Sequence, residues 1–179
     1  MALGAVAVSA VAAVVLSGPL SSRLYGHGPR HSVAEPTPVS EVAGFTKIGF
    51  IADYLVVVNV LPGEEMFSPE EVARDQPTLG EMAIGGEGSG VVEDSRHVEA
   101  HVYDRATGLA VTDVVPVLEV VDRGAQKKTV LNSVLMQDVN IGSTDLHFGD
   151  NLVIGGGTDL RIRVTLGPNQ EILVDGYLD

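Results

Sequence analysis

From Arg96 onward the chain is a succession of short stretches in which apolar and polar residues alternate, each closed by a turn signal. A period of two places every second side chain on the same face of an extended strand. A chain written this way must bury one face of each strand and fold back at each turn. Residues 97–103 alternate and end at Asp104-Arg-Ala-Thr-Gly108. Residues 109–121 form a longer strand pattern interrupted by Pro116, which marks an edge or a bulge. Asp122-Arg-Gly124 turns the chain into residues 128–136, and residues 151–154 lead to a triple-glycine turn. Residues 160–166 alternate cleanly, and Gly167-Pro-Asn169 opens onto residues 171–174. Strands at this spacing predict an all-β fold, an antiparallel immunoglobulin-like β-sandwich.

Before Arg96 the pattern is more varied. Residues 47–61 are rich in Ile and Val and end at Pro62-Gly63, which predicts one strand and a turn. Ser68-Pro69-Glu70-Glu71 is a helix start: Ser caps, Pro suits the first position and Glu71 completes a capping box. Pro77 and Gly80 keep that helix short. Residues 64–94 hold nine acids against one base, Arg74, without the alternating spacing of a calcium loop, and predict a solvated, mobile face. The glycines of residues 85–90 lack the Lys-Ser/Thr of a phosphate loop and predict a flexible connection.

Residues 2–16 carry no charge, a length that matches the apolar core of a signal peptide better than the ~20 residues of a spanning helix. The expectation is an N-terminal apolar helix at residues 1–20 acting as signal peptide or membrane anchor. A flexible linker at 21–45, holding His27 and His31, and a β-sandwich domain at 46–179 would follow. That places the protein outside the cytoplasm, periplasmic or extracellular, with membrane anchoring as the alternative to cleavage.

The absence of Cys excludes disulfides and thiolate metal sites. A formal charge of −13 with no basic stripe excludes nucleic acid as a partner and suits the attraction of cations. Four Phe, four Tyr and no Trp leave the core to aliphatic residues. Neither a Gly-x-Ser-x-Gly elbow nor a distinctive pair of carboxylates is present, so the expectation is a binding protein and not an enzyme. Redox copper chemistry is the catalytic alternative.

The chemistry concentrates in two segments. Alternation sets His97, Glu99 and His101 on one face of a strand. His97 and Glu99 are then roughly 6–7 Å apart along the strand, close enough to converge, whereas His97 and His101 are about 13 Å apart and do not readily share an ion. His101 is therefore expected to be a hydrogen-bonding neighbour. Further on, Met136 closes a strand pattern and His147 sits in a loop before Phe148-Gly149-Asp150-Asn151. A thioether, imidazoles and a carboxylate together point to copper, as Cu(II) or Cu(I), because thioether favours the reduced ion and imidazole suits both. The rival reading leaves this face solvated and makes the chain a metal-free immunoglobulin-like structural or adhesive domain, tethered at the cell surface.

The stretches His97-Val-Glu-Ala and Met136…Asp145-Leu-His147-Phe-Gly-Asp-Asn151 resemble the periplasmic iron-transport-associated, copper-binding protein family, also called the Fe2+ transport protein family. Gly157-Thr-Asp-Leu-Arg-Ile-Arg-Val-Thr is similar to the strand that follows in that family, and the resemblance covers about residues 92–166. It implies an exported β-sandwich found beside bacterial high-affinity iron uptake systems. Its copper site would be formed by His97, Glu99, Met136 and His147. It further implies iron as a second ion to consider, an inner-membrane permease as partner, and a homodimer. Phe148 stands where the family has Tyr, and the interval from Met136 to His147 is longer. The His-rich segment that supplies a ligand across the family's dimer does not follow Tyr177 in this sequence, so the family's complete site and its dimer are not expected to carry over unchanged. Met82, in Gly80-Glu-Met-Ala, is the residue that could swing in as a replacement soft ligand.

Overall fold

The structure, a computed structural model, describes residues 44–87, 90–91 and 93–179. The expected N-terminal helix and nearly all of the linker lie outside the described residues, which belong to the contact unit Pro38–Asp179. Among the described residues no helix is long and apolar enough to cross a membrane.

The first two strands come from the stretch expected to be one. β1 (Phe45–Ile51) and β2 (Tyr54–Pro62) pair antiparallel from Phe45↔Val60 to Ile51↔Tyr54. The chain reverses at Ala52-Asp53, with Ala52 at φ 49°. Asp53 is a turn former but has no Gly or Pro beside it, so a continuous β-rich run concealed a hairpin. β3 (Met66–Phe67) is followed by α1 (Pro69–Asp75), capped as its sequence predicts: Ser68 accepts from the Glu71 amide and the Glu71 carboxylate accepts from the Ser68 amide at 2.8 Å. β4 (Glu81–Ala83) and the ten-residue β5 (Ser95–Asp104) come next.

The later strands are β6 (Val117–Asp122), β7 (Lys127–Val130), β8 (Val134–Asp138), β9 (His147–Val153), β10 (Thr158–Gly167) and β11 (Gln170–Leu178). The pattern at 109–121 yields a strand only after Pro116, the segment before it making a single bridge, Ala110 to Tyr103. The pattern at 128–136 is two strands in different sheets. Leu131 still donates to the Leu118 carbonyl at 2.9 Å, beside β6, and three residues later, at Val134, the chain has joined the other sheet as β8.

Two sheets result, ordered β1-β2-β5-β9-β8-β4-β3 and β11-β10-β6-β7. The apolar faces of both meet in one core. Val56, Val58 and Val60 of β2 and Val98 and Ala100 of β5 pack with Leu118 and Val120 of β6 and Leu160, Ile162 and Val164 of β10. This is a β-sandwich built from aliphatic residues, as the scarcity of aromatics requires.

Candidate metal centre

Residues directly opposed across neighbouring strands point to the same face of a sheet. In the seven-stranded sheet, Asn59 opposes Glu99, Glu99 opposes Gly149, and Gly149 opposes Val134. Met136 opposes both His147 and Ala83, and Glu81 opposes both Asp138 and Met66. All of these, with His97 and His101, therefore share the face turned away from the sandwich core. That face is not solvated: His97 is 0% exposed, Glu99 4%, His101 6%, His147 1% and Glu81 3%. A small apolar cluster of Ala83, Val134 and Met136, with Met66 against it, lies on the same face.

Glu99 is the hub. Its Oε2 is 3.5 Å from His97 Nε2 and 3.1 Å from His147 Nε2, while its Oε1 is 3.0 Å from His101 Nε2 and accepts from Asn59 Nδ2 at 2.5 Å. Burial alone would raise this carboxyl, but the imidazoles of His101, His97 and His147 outweigh burial and hold it well below the usual carboxylate range. His101 reaches the cluster through this second oxygen. Its Nε2 faces the Glu99 oxygen, which can only accept, and its Nδ1 lies 3.4 Å from the Tyr103 hydroxyl, the two rings being stacked. Oxygens on opposite sides of one carboxylate thus bring His101 into the cluster, even though it stands two strand repeats from His97.

His147 is the first residue of β9 rather than a loop residue. Its Nδ1 lies 2.7 Å from the Asp145 backbone carbonyl, which can only accept, so Nδ1 carries the proton and Nε2 faces the cluster. Desolvation would lower the pKa of this imidazole. The Asp145 carboxylate beside it, with the charges of Glu99 and Glu81, overcomes that and raises it to about 9. Asp145 is itself lowered, its partial burial outweighed by His147. The metal-free centre at neutral pH is thus an imidazolium between carboxylates.

Two donors stand out as unsatisfied. His97 has no hydrogen-bond partner at either ring nitrogen, and His147 has none at Nε2 despite the nearby Glu99 oxygen. One oxygen of Glu81 is also unpartnered, 3.5 Å from His147 Nε2. Each buried polar atom left in this state costs about 1–3 kcal/mol. His97, Glu99 and His147 present atoms all within 4.8 Å of one another, and so do His101, Asp145 and His147. Gly149 keeps the space open, since a Cβ there would lie 3.1 Å from His97 Nε2, 3.1 Å from Glu99 Cβ and 2.8 Å from the Val98 carbonyl.

The thioethers divide. Met136 is 0% exposed, on the site face and directly opposite His147. Met82 occupies the middle of β4, between Glu81 and Ala83, and so points to the opposite face from them. The neighbour that does reach the cluster is Glu81, one residue earlier. The acidic stretch 64–94 was expected to be solvated throughout, and Glu81 departs from that: burial pushes its carboxyl up to about 8, against the charge of His147 and with added effect from Glu64. Its only sequence signal was the place it would share with Ala83 on a strand face.

No protein-family model matches the chain, and neither does any curated protein sequence. Solved structures do. A FetP structure from uropathogenic Escherichia coli aligns at TM-score 0.52 and 10% identity, covering 76% of this chain and 96% of that one. A copper-bound variant of the same protein aligns at 0.50 and 11%, covering 76% and 96%. A copper-bound variant of Campylobacter jejuni P19 aligns at 0.49 and 12%, covering 74% and 94%. At these identities the likeness is one of fold, and the FetP alignments extend over nearly all of FetP.

Proposed function

We propose that this chain is an exported metal-binding protein that holds copper and assists iron or copper handling at the cell envelope. The observation that carries the reading is the convergence of unpartnered buried donors, His97 Nε2 and His147 Nε2, on the Glu99 carboxylate. A fold does not leave two imidazoles buried against one carboxylate without hydrogen-bond partners at Nε2 unless something compensates, and a cation supplies it. The donor set fits copper: two imidazoles and a carboxylate suit Cu(II), and the buried thioether of Met136 opposite His147 adds preference for Cu(I). The shared fold with FetP, which has been solved with copper bound, supports the same ion.

In this reading His97, Glu99 and His147 hold the ion, which would supply redox or carrier chemistry when bound. The Asp145 carbonyl fixes the His147 tautomer so that Nε2 faces the metal. His101, Asn59 and Tyr103 steady Glu99 through its other oxygen. Export, a binding rather than catalytic role, an inner-membrane permease as partner and a homodimer are parts of the same proposal.

The test is a Cu(II) and Cu(I) titration of the purified chain against competing chelators, alongside Zn(II). The expected result is about one copper per chain, held more tightly than zinc and lost in His147→Ala. Copper uptake that is weak and indifferent to His147→Ala would leave the metal-free structural domain as the better reading.

A further inference from the structure

A cavity of about 310 Å³ is lined by Glu64, Glu65, Gly80 and Asp138, of which Gly80 precedes Glu81 in the chain and Asp138 is its cross-strand partner. Its rim reaches solvent, for Leu79 beside it is 79% exposed. Glu64 is half-buried and close enough to Glu81 for its charge to help raise that carboxyl. Glu81 is 3% exposed, and its unpartnered Oε2 is turned to His147 Nε2. Carboxylates therefore run in order from an open cavity to the buried imidazole.

The backbone holds this order in place. The Glu64 amide donates to Asn151 Oδ1 at 3.1 Å, and Asn151 Nδ2 donates back to the Glu64 carbonyl at 2.7 Å, tying Glu64 to β9, the strand of His147. The Glu81 amide donates to the Glu65 carbonyl at 2.8 Å. That approach needs Gly80, which has φ +103° and whose Cβ would lie 2.5 Å from the Glu65 oxygen. Glu81 meets His147 at 3.5 Å and does not belong to the mutually adjacent trio of His97, Glu99 and His147.

We propose that Glu64 and Glu81 are the entry path of the centre: a divalent cation collected in the acidic cavity passes from Glu64 to Glu81 and from there to His147. This rests on the metal reading above. A cleft of one charge sign concentrates counter-ions and raises association rates by about 10–10³-fold, and the buried carboxyl oxygen of Glu81, facing inward, offers the partly stripped ion its next ligand. A station on the path, absent from the final coordination, lowers the barrier in both directions.

The experiment is stopped-flow loading of the full chain with Cu(II), and release to a chelator, for wild type, Glu81→Gln and Glu64→Gln. Both substitutions keep shape, and Glu64 is the less buried site should the Glu81 variant fold poorly. The expected result is association and release slowed about tenfold in both variants, with Kd within about twofold of wild type in Glu64→Gln, since Glu64 is not among the groups that raise His147. A weakened Kd with unchanged association would make Glu81 a resident ligand and overturn the path. Unchanged rates in both variants would overturn it as well. Should wild type fail to bind copper, or His147→Ala bind it equally, the metal centre itself is refuted and the path with it. His147→Ala is the control that separates the two failures.

Discussion

Copper must displace a proton from His147, and the energy of that exchange follows from the surroundings of the ring. With Asp145, Glu99 and Glu81 around it, the imidazole is raised to about 9. At pH 7 only on the order of 1 molecule in 100 offers a free Nε2 lone pair, so apparent affinity stands roughly two orders of magnitude below its limit. Each unit of rising pH should strengthen binding about tenfold until pH ~9, after which it levels. An ordinary imidazole near pKa 6.5 would be mostly free at pH 7 and would level there, with almost no penalty. Chelator-competition titrations from pH 6 to 9.5 distinguish the two curves. Calorimetry in buffers of different ionisation enthalpy should show about one proton released from His147 at pH 7.5. Ring resonances of His147 in the metal-free protein, followed by NMR, test the premise without copper. A His147 midpoint at or below about 7, or binding that levels by pH 7, would refute the reasoning.

Two further outcomes follow from the same geometry. Gly149→Ala puts a methyl 3.1 Å from His97 Nε2 and 2.8 Å from the Val98 carbonyl. Copper affinity should fall by an order of magnitude or more, while overpacking removes about 1–3 kcal/mol of stability and leaves the β-type far-ultraviolet spectrum; undiminished affinity would show that the site does not use this space. In the metal-free protein, His147 with its raised pKa stabilises fully below about 6.5 and loses that contribution as pH rises through about 9. Glu81, also raised, is favoured in its neutral form, and that contribution is lost as pH rises from its ordinary 4.5 through about 8. Both have the same sign, so Tm measured by scanning calorimetry should drop between pH 6 and 9, with the largest rescue by copper at the alkaline end; a metal-free Tm that rises over this range contradicts the assignment.

Local patterns were legible without tertiary information, because they depend on neighbours in the chain. Alternation alone places His97, Glu99 and His101 on one face of β5, and the Ser68-Pro69-Glu70-Glu71 start produces the capped helix it predicts. The turn-separated strands after Arg96 are enough to imply a β-sandwich. Contacts that depend on pairing between distant strands were not legible. Met136 meets His147 only because β8 and β9 are neighbours, and Glu81 joins them only because β4 pairs with β8. Nothing local in residues 128–136 says that the chain leaves one sheet after Leu131 and enters the other at Val134. Nor could spacing along a single strand show that Glu99, through its second oxygen, brings His101 into the cluster. Burial was decided the same way. An acidic stretch looks solvated until the fold covers one of its carboxyls, and desolvation, the force that raises Glu81, exists only once other strands have excluded water from it.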